Sequence, residues 1–149
     1  MKKVITAIGN PYINERLKEI DWYEVIGKDI PYQEGILEVI TEKQNIDIVI
    51  LSNELPEEYD FYILVSKIKN IKKDIELIVF LKEKNKDVEN FLNSKNIYKV
   101  YASSEYDNFL YSLKSKNIDL SQEIEEFKQM IVDSNFNKNK YFDNAKTTG

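Results

Sequence analysis

The residues best placed to do chemistry each follow a short apolar run. Ser52-Asn53-Glu54 follows Ile46–Leu51, and Gly9-Asn10-Pro11 follows the run that starts at Lys3. Leu81-Lys82-Glu83 and Ala102-Ser103-Ser104 follow two further runs. A serine becomes a nucleophile when a base stands within hydrogen-bond reach. The chain has no histidine, so the candidate bases for Ser52 are Glu54 and Lys82. The simpler reading of Ser52 is a strand-end hydroxyl bonded to local backbone. Glu54, Glu57 and Glu58 are a carboxylate cluster of the kind used in acid–base work, but an acidic, solvated loop explains them better. Gly9-Asn10-Pro11 has neither the three spaced glycines of a dinucleotide fingerprint nor the Gly-Lys-Ser/Thr of a phosphate loop.

Composition removes whole classes of function. With 149 residues, 42% of them hydrophobic and 32% charged, the chain reads as one folded, soluble domain. The net charge of −5 argues against a nucleic-acid binder, which needs a basic surface to neutralise phosphates. Lys67, Lys69, Lys72 and Lys73 form a local basic run, read as a solvated helix face. Trp22 and the ten tyrosines read as core and rim residues rather than a base-stacking platform. The absence of cysteine excludes disulfides and thiolate metal sites, and the absence of histidine removes the commonest transition-metal ligand. No metal or other cofactor is expected. No apolar run approaches the roughly 20 residues of a membrane span. The N-terminal MKKVITAIGN is too short in its apolar part for a signal peptide, so a cytoplasmic protein is expected.

The elements that must position these residues alternate in period. Strands are predicted over 3–9, 23–30, 46–52, 75–81 and 97–102. Helices are predicted over 11–20, 33–44, 61–71, 87–95 and 106–116. The helical faces are Ile13, Leu17 and Ile20; Ile36, Leu37 and Ile40; Leu64, Val65, Ile68 and Ile71; and Phe109, Leu110 and Leu113. The two central strands are almost wholly apolar, as strands covered on both faces are. Strict alternation with short connections predicts an α/β fold, a doubly wound five-stranded parallel sheet in the flavodoxin-like order 2-1-3-4-5. Residues 1–116 complete it. A C-terminal helix is predicted over 117–132, with a seam of Leu120, Ile124, Phe127 and Ile131 at the spacing of a two-helix contact. Residues 133–149 read as a linker or flexible tail.

In size, alternation and the segment VILSNELPE, residues 1–116 resemble the receiver domain of bacterial response regulators. The resemblance implies a site at the carboxyl ends of the strands: two acids after strand 1 for Mg²⁺, an aspartate nucleophile ending strand 3, a hydroxyl after strand 4 and a lysine after strand 5. Carried over position by position, Gly9 and Asn10 stand for the acids and Ser52 for the nucleophile. Leu81 or Lys82 stands for the hydroxyl, and Tyr101 or Ala102 for the lysine. Tyr98 falls where many receivers carry an aromatic switch residue. With every charged group replaced, the resemblance implies a degenerate receiver that is not an enzyme and takes up no phosphoryl group.

Such receivers work by binding partners. The expected partners are proteins, a second copy of the chain among them, with Tyr98 and the 117–132 seam as contact residues. The resemblance extends to the atypical N-terminal receivers of ParA/MinD-like pilus-assembly and localisation ATPases, which implies a downstream ATPase domain; these residues hold no Walker motif. The alternative is a small-ligand protein or enzyme, flavin-binding in the nearest case, that uses the same strand ends.

Overall fold

The structure, a computed structural model, describes residues 1–43, 45–115 and 127–131. It runs β1 (Lys2–Ala7), α1 (Pro11–Leu17), β2 (Tyr23–Val25), α2 (Gln33–Glu42), β3 (Ile48–Ser52), α3 (Phe61–Ile71), β4 (Glu76–Leu81), α4 (Lys86–Ser94), β5 (Lys99–Ala102) and α5 (Tyr106–Ser115), with a 3-10 turn at Ser103–Glu105. The five strands pair in parallel in the order β2-β1-β3-β4-β5. This is the flavodoxin-like arrangement that the alternation predicts.

The two apolar central strands are explained by what covers them. Ile5, Ala7, Val49, Leu51, Leu77, Val79 and Leu81 pack with Ile36, Ile40, Leu64, Val65, Ile68 and Leu92 from α2, α3 and α4. The alternate residues Val4, Thr6, Ile48, Ile50, Ile78 and Phe80 are equally buried. They take the opposite face, because strand side chains alternate. There Phe80 lies 4.2 Å from Tyr106 and 5.3 Å from Phe109, ring to ring. Each fully buried aliphatic side chain contributes about 1.5–3 kcal/mol, so these layers fix the strand register, and with it the positions of the strand ends.

The chain divides into two compact units, Met1–Tyr111 and Ser112–Gly149, and the sheet lies in the first. Of the second, residues 127–131 are helical, with Phe127 and Ile131 exposed. Leu120 and Ile124 of the expected seam lie outside the described residues, as do 132–149.

Several elements are shorter than their periodicity suggests. α1 ends at Leu17 rather than residue 20, because the Lys18 N–H turns back to the Arg16 and Glu15 carbonyls. Ile20 still enters the core, from the turn that follows. β2 stops at Val25 rather than running to residue 30. Ile26 N–H still bonds Val4 O, but Gly27 takes φ +71° and the chain bulges away. It rejoins β1 where Ile30 N–H bonds Thr6 O at 2.8 Å. A positive φ of this kind favours glycine. β3 and β5 also begin two residues later than expected, at Ile48 and Lys99, so Tyr98 precedes its strand.

Two readings of α3 change as well. Ile71, expected inward, is the last residue of the helix and is 41% exposed. The lysine run is only partly a solvated face. Lys69 Nζ donates to Ile75 O at 2.8 Å and Lys72 Nζ donates to Ile46 O, while the Lys67 ammonium sits 4.8 Å from the centre of the Tyr59 ring. Both acceptors are backbone carbonyls just ahead of a strand, so these lysines tie the end of α3 to the starts of β4 and β3. Burial lowers the Lys69 pKa, opposed by Asp74 and Glu76.

Candidate functional site

The strand ends gather the expected residues along one edge of the sheet, in register: Ala7 beside Leu51, Ser52 beside Phe80, Leu81 beside Ala102. Gly9 follows β1 with φ +69°. Asn10 caps α1, its Oδ1 accepting the Ile13 N–H at 3.3 Å, a common use for asparagine at a helix start. Ser52 is 1% exposed, and its Oγ accepts the Glu54 N–H at 3.0 Å. Leu81 is fully buried in the layer with α2, α3 and α4. Tyr101 is half-buried and stacks on Phe80, with ring centroids 5.3 Å apart. Tyr98 lies apart from these residues, 69% exposed ahead of β5.

Neither expected base reaches Ser52. The Glu54 carboxylate accepts the Ser103 hydroxyl at 2.6 Å instead. Lys82 takes part through its backbone, donating N–H to Asn53 Oδ1 at 2.9 Å. The hydroxyl that does face Ser52 belongs to Tyr106. It is buried, faces Ser103 as well, and makes no hydrogen bond of normal geometry among the described residues. Burial pushes its pKa up; Ser52 and Ser103 pull the other way, and the nearby Glu54 and Asp29 charges add to the rise. A neutral phenol in this setting packs the site and supplies no base.

The segment from Ser52 to α3 is fastened at both ends. Near the strand, Asn53 N–H bonds Phe80 O at 3.2 Å, and Leu55 is buried in the core. Near the helix, the Gln33 side chain acts as a substitute strand. Its Oε1 accepts the N–H groups of Glu58 and Tyr59 at 2.9 and 2.6 Å, and its Nε2 donates to Tyr59 O at 3.1 Å. Tyr59 donates its hydroxyl to Glu34 Oε2 at 2.7 Å, a bond that raises the tyrosine pKa. Asp60 Oδ1 then caps α3 through Tyr62 N–H. Glu57 lies in this loop and Glu58 bonds at its margin, so the three glutamates do not converge on one point. Among the described residues no three Asp or Glu side chains gather to hold a metal ion.

Sequence reasoning missed a polar centre on the other side of β1. Thr6 Oγ1 donates to Asp29 Oδ1 at 2.7 Å and accepts from Asn14 Nδ2 at 2.8 Å. Asp29 Oδ1 also accepts Ile8 N–H at 3.1 Å. One signal was available: Asn14 sits beside Ile13 and three residues before Leu17, on the buried face of its helix. Asp29 follows the glycine that breaks β2.

No protein-family model matches the sequence, and no curated protein matches it. Solved structures do. The RcsB response regulator of Salmonella typhimurium superposes with a TM-score of 0.63 at 19% identity, over 71% of this chain and 56% of that one. The isolated REC domain of RcsB from Salmonella enterica serovar Typhimurium, with phosphomimetic beryllofluoride, gives 0.62 at 18% identity, over 76% and 88%. The beryllofluoride-activated NtrC4 receiver domain dimer gives 0.59 at 16% identity, over 78% and 98%. The chain thus spans little more than half of the first of these proteins, and the fold it shares with all three is that of the response-regulator receiver domain.

Proposed function

We propose that this chain is a pseudo-receiver, a receiver-fold module that takes up no phosphoryl group and acts by binding proteins. One observation carries the reading. The strand-end positions that would hold acids, nucleophile, hydroxyl and lysine are Gly9, Asn10, Ser52, Leu81 and Tyr101, and the polar ones serve internal hydrogen bonds. Phosphoryl transfer from a small donor needs a nucleophile and groups to offset the charge that develops on the phosphoryl oxygens. Ser52 is enclosed, and the Gln33 side chain fastens the loop after it with three hydrogen bonds.

Partner binding is supported by large exposed side chains, Tyr98 at 69% and Tyr111 at 75%. The relative that pairs as an activated receiver dimer gives a precedent for a second copy of this chain as partner. In this reading the module is the N-terminal part of a larger signalling or ParA/MinD-like protein, and any ATPase activity lies outside these residues.

The test is incubation with acetyl phosphate and Mg²⁺, followed by intact-mass spectrometry and light scattering on the same sample. The expected result is an unchanged mass and an unchanged oligomeric state. A Mg²⁺-dependent mass increase of one phosphoryl group, retained on the folded protein, overturns the proposal.

A further inference from the structure

A cleft of about 530 Å³ opens between the start of α1 and the β2–α2 loop, lined by Gly9, Pro11, Asn14, Glu15, Lys28, Asp29 and Pro31. It lies on the opposite side of β1 from β3 and Ser52. Its walls are mostly apolar, built from two proline rings and a bare glycine backbone. Two acceptors of the Thr6 hydrogen-bond network have no partner among the described residues.

The first is Asn14 Oδ1, on a residue only 1% exposed. The orientation of its amide follows from the proton count. The Thr6 hydroxyl has one proton and donates it to Asp29, so Thr6 can only accept from Asn14. Nδ2 must face Thr6, and Oδ1 is left over. A buried carbonyl without a partner costs about 1–3 kcal/mol and is uncommon in folded proteins. The second is Asp29 Oδ2. Both bonds to this carboxylate, from Thr6 and from Ile8 N–H, fall on Oδ1, and Oδ2 has no partner among the described residues. The two spare acceptors belong to groups bridged by a single hydroxyl, on two residues that both line the cleft.

We infer that this cleft binds a small planar cation with N–H donors along one edge, of the amidine, guanidine or protonated aminoheterocycle class. The donor edge meets Asp29 Oδ2 and Asn14 Oδ1, and the flat body lies between Pro11 and Pro31. Anions are disfavoured, because the two spare acceptors face a cleft whose acids, Glu15 and Asp29, outnumber its one lysine, Lys28. The inference is independent of the pseudo-receiver reading and holds or fails separately from it.

The test is titration of the ¹⁵N-labelled protein with millimolar benzamidine, a flat ring with an amidinium edge, with benzoate as the same ring of opposite charge. Benzamidine is expected to give saturable shifts at the amides of Gly9, Asn14, Lys28, Asp29 and Ile30, and benzoate none. Asp29→Asn keeps a side-chain oxygen for Thr6 and Ile8 but loses the charge. It is expected to weaken benzamidine about tenfold, the loss when a hydrogen bond to a charged group becomes neutral. Lys28→Gln, at an exposed position that does not threaten folding, removes a like charge and is expected to tighten binding about twofold. No saturable shift, benzoate acting equally at the same amides, or an Asp29→Asn or Lys28→Gln variant with unchanged affinity overturns the inference.

Discussion

The ends of β3, β4 and β5 differ sharply from the ends of β1 and β2. In the first region most polar atoms are joined, with the Tyr106 hydroxyl left over: Ser52 to Glu54, Asn53 to Lys82, Glu54 to Ser103, Gln33 to Glu58 and Tyr59. In the second, Thr6 gathers Asn14 and Asp29 but leaves an acceptor on each without a partner. The same sheet supports both edges, so the difference comes from the loops. A largely satisfied edge resists change, because most new ligands must break existing bonds before forming their own. An edge with spare acceptors gains a bond for each donor it receives.

The comparison rests first on the frame that the two edges share. Ile50 pairs in register with Thr6 and is fully buried on the face that carries both Thr6 and Ser52. Ile50→Ala is expected to cost about 2–5 kcal/mol through lost burial and a residual cavity, the largest effect of any change considered. Urea unfolding measures it. A loss below about 1 kcal/mol, less than a buried isoleucine commands, would mean that the central strands do not set the strand ends.

The second change separates the two edges. Gln33 is 4% exposed and holds the loop after Ser52 with three hydrogen bonds. Gln33→Ala leaves the Glu58 and Tyr59 N–H groups without that acceptor and is expected to cost about 1–3 kcal/mol. Hydrogen exchange should quicken at residues 57–60 while the amides of Ile8 and Ile30 stay protected. Equal quickening at both edges would show that they are one cooperative unit, and the contrast drawn between them would fail.

Much of the frame was legible in the sequence, for physical reasons. β3 and β4 are covered on both faces, so their apolar runs announce them. α3 has three buried residues at helical spacing, and its bounds are those the periodicity predicts. Once strands are placed, strand ends follow, which is why Gly9, Asn10, Ser52, Leu81 and Tyr101 could be placed at the site edge without coordinates.

The local bond from Glu54 N–H to Ser52 was legible, but the long-range hydrogen bonds were not, because they join residues far apart in the chain. Asp29 reaches Thr6 across 23 positions, Gln33 reaches Tyr59 across 26, and Ser103 reaches Glu54 across 49. The segment 23–30 read as one strand because Val25, Ile26 and Ile30 are apolar. The bulge at Gly27 instead turns Asp29 toward β1. Lys69 and Lys72 read as solvated because charge patterning cannot show that their ammonium groups end on buried carbonyls.

The smallest expected effect is at Ser52, and it separates structure from chemistry at the largely satisfied edge. If Ser52 serves only as the acceptor for Glu54 N–H, Ser52→Ala removes one hydrogen bond and costs about 1 kcal/mol, the usual net value of such a bond. A second consequence follows from Tyr106. Burial raises its pKa, and Ser52 is one of two hydroxyls that oppose the rise. Without Ser52 the phenol is expected to titrate at still higher pH, which ultraviolet absorbance of tyrosinate follows. A raised folded-state pKa stabilises the fold below the unfolded value near 10 and loses that contribution as pH climbs through the folded one. Both proteins should therefore begin to lose stability near the unfolded value, and the variant should lose more and go on losing it to higher pH than the wild type, relative to its own value at neutral pH. A nucleophilic serine makes a different demand: the wild type must react covalently with a fluorophosphonate, and Ser52→Ala must not. Neither the Glu54 carboxylate nor the Lys82 ammonium bonds the hydroxyl, and the residue is 1% exposed, so no labelling of either protein is expected. Labelling of the wild type at Ser52 would reverse the assignment of this edge from packing to catalysis.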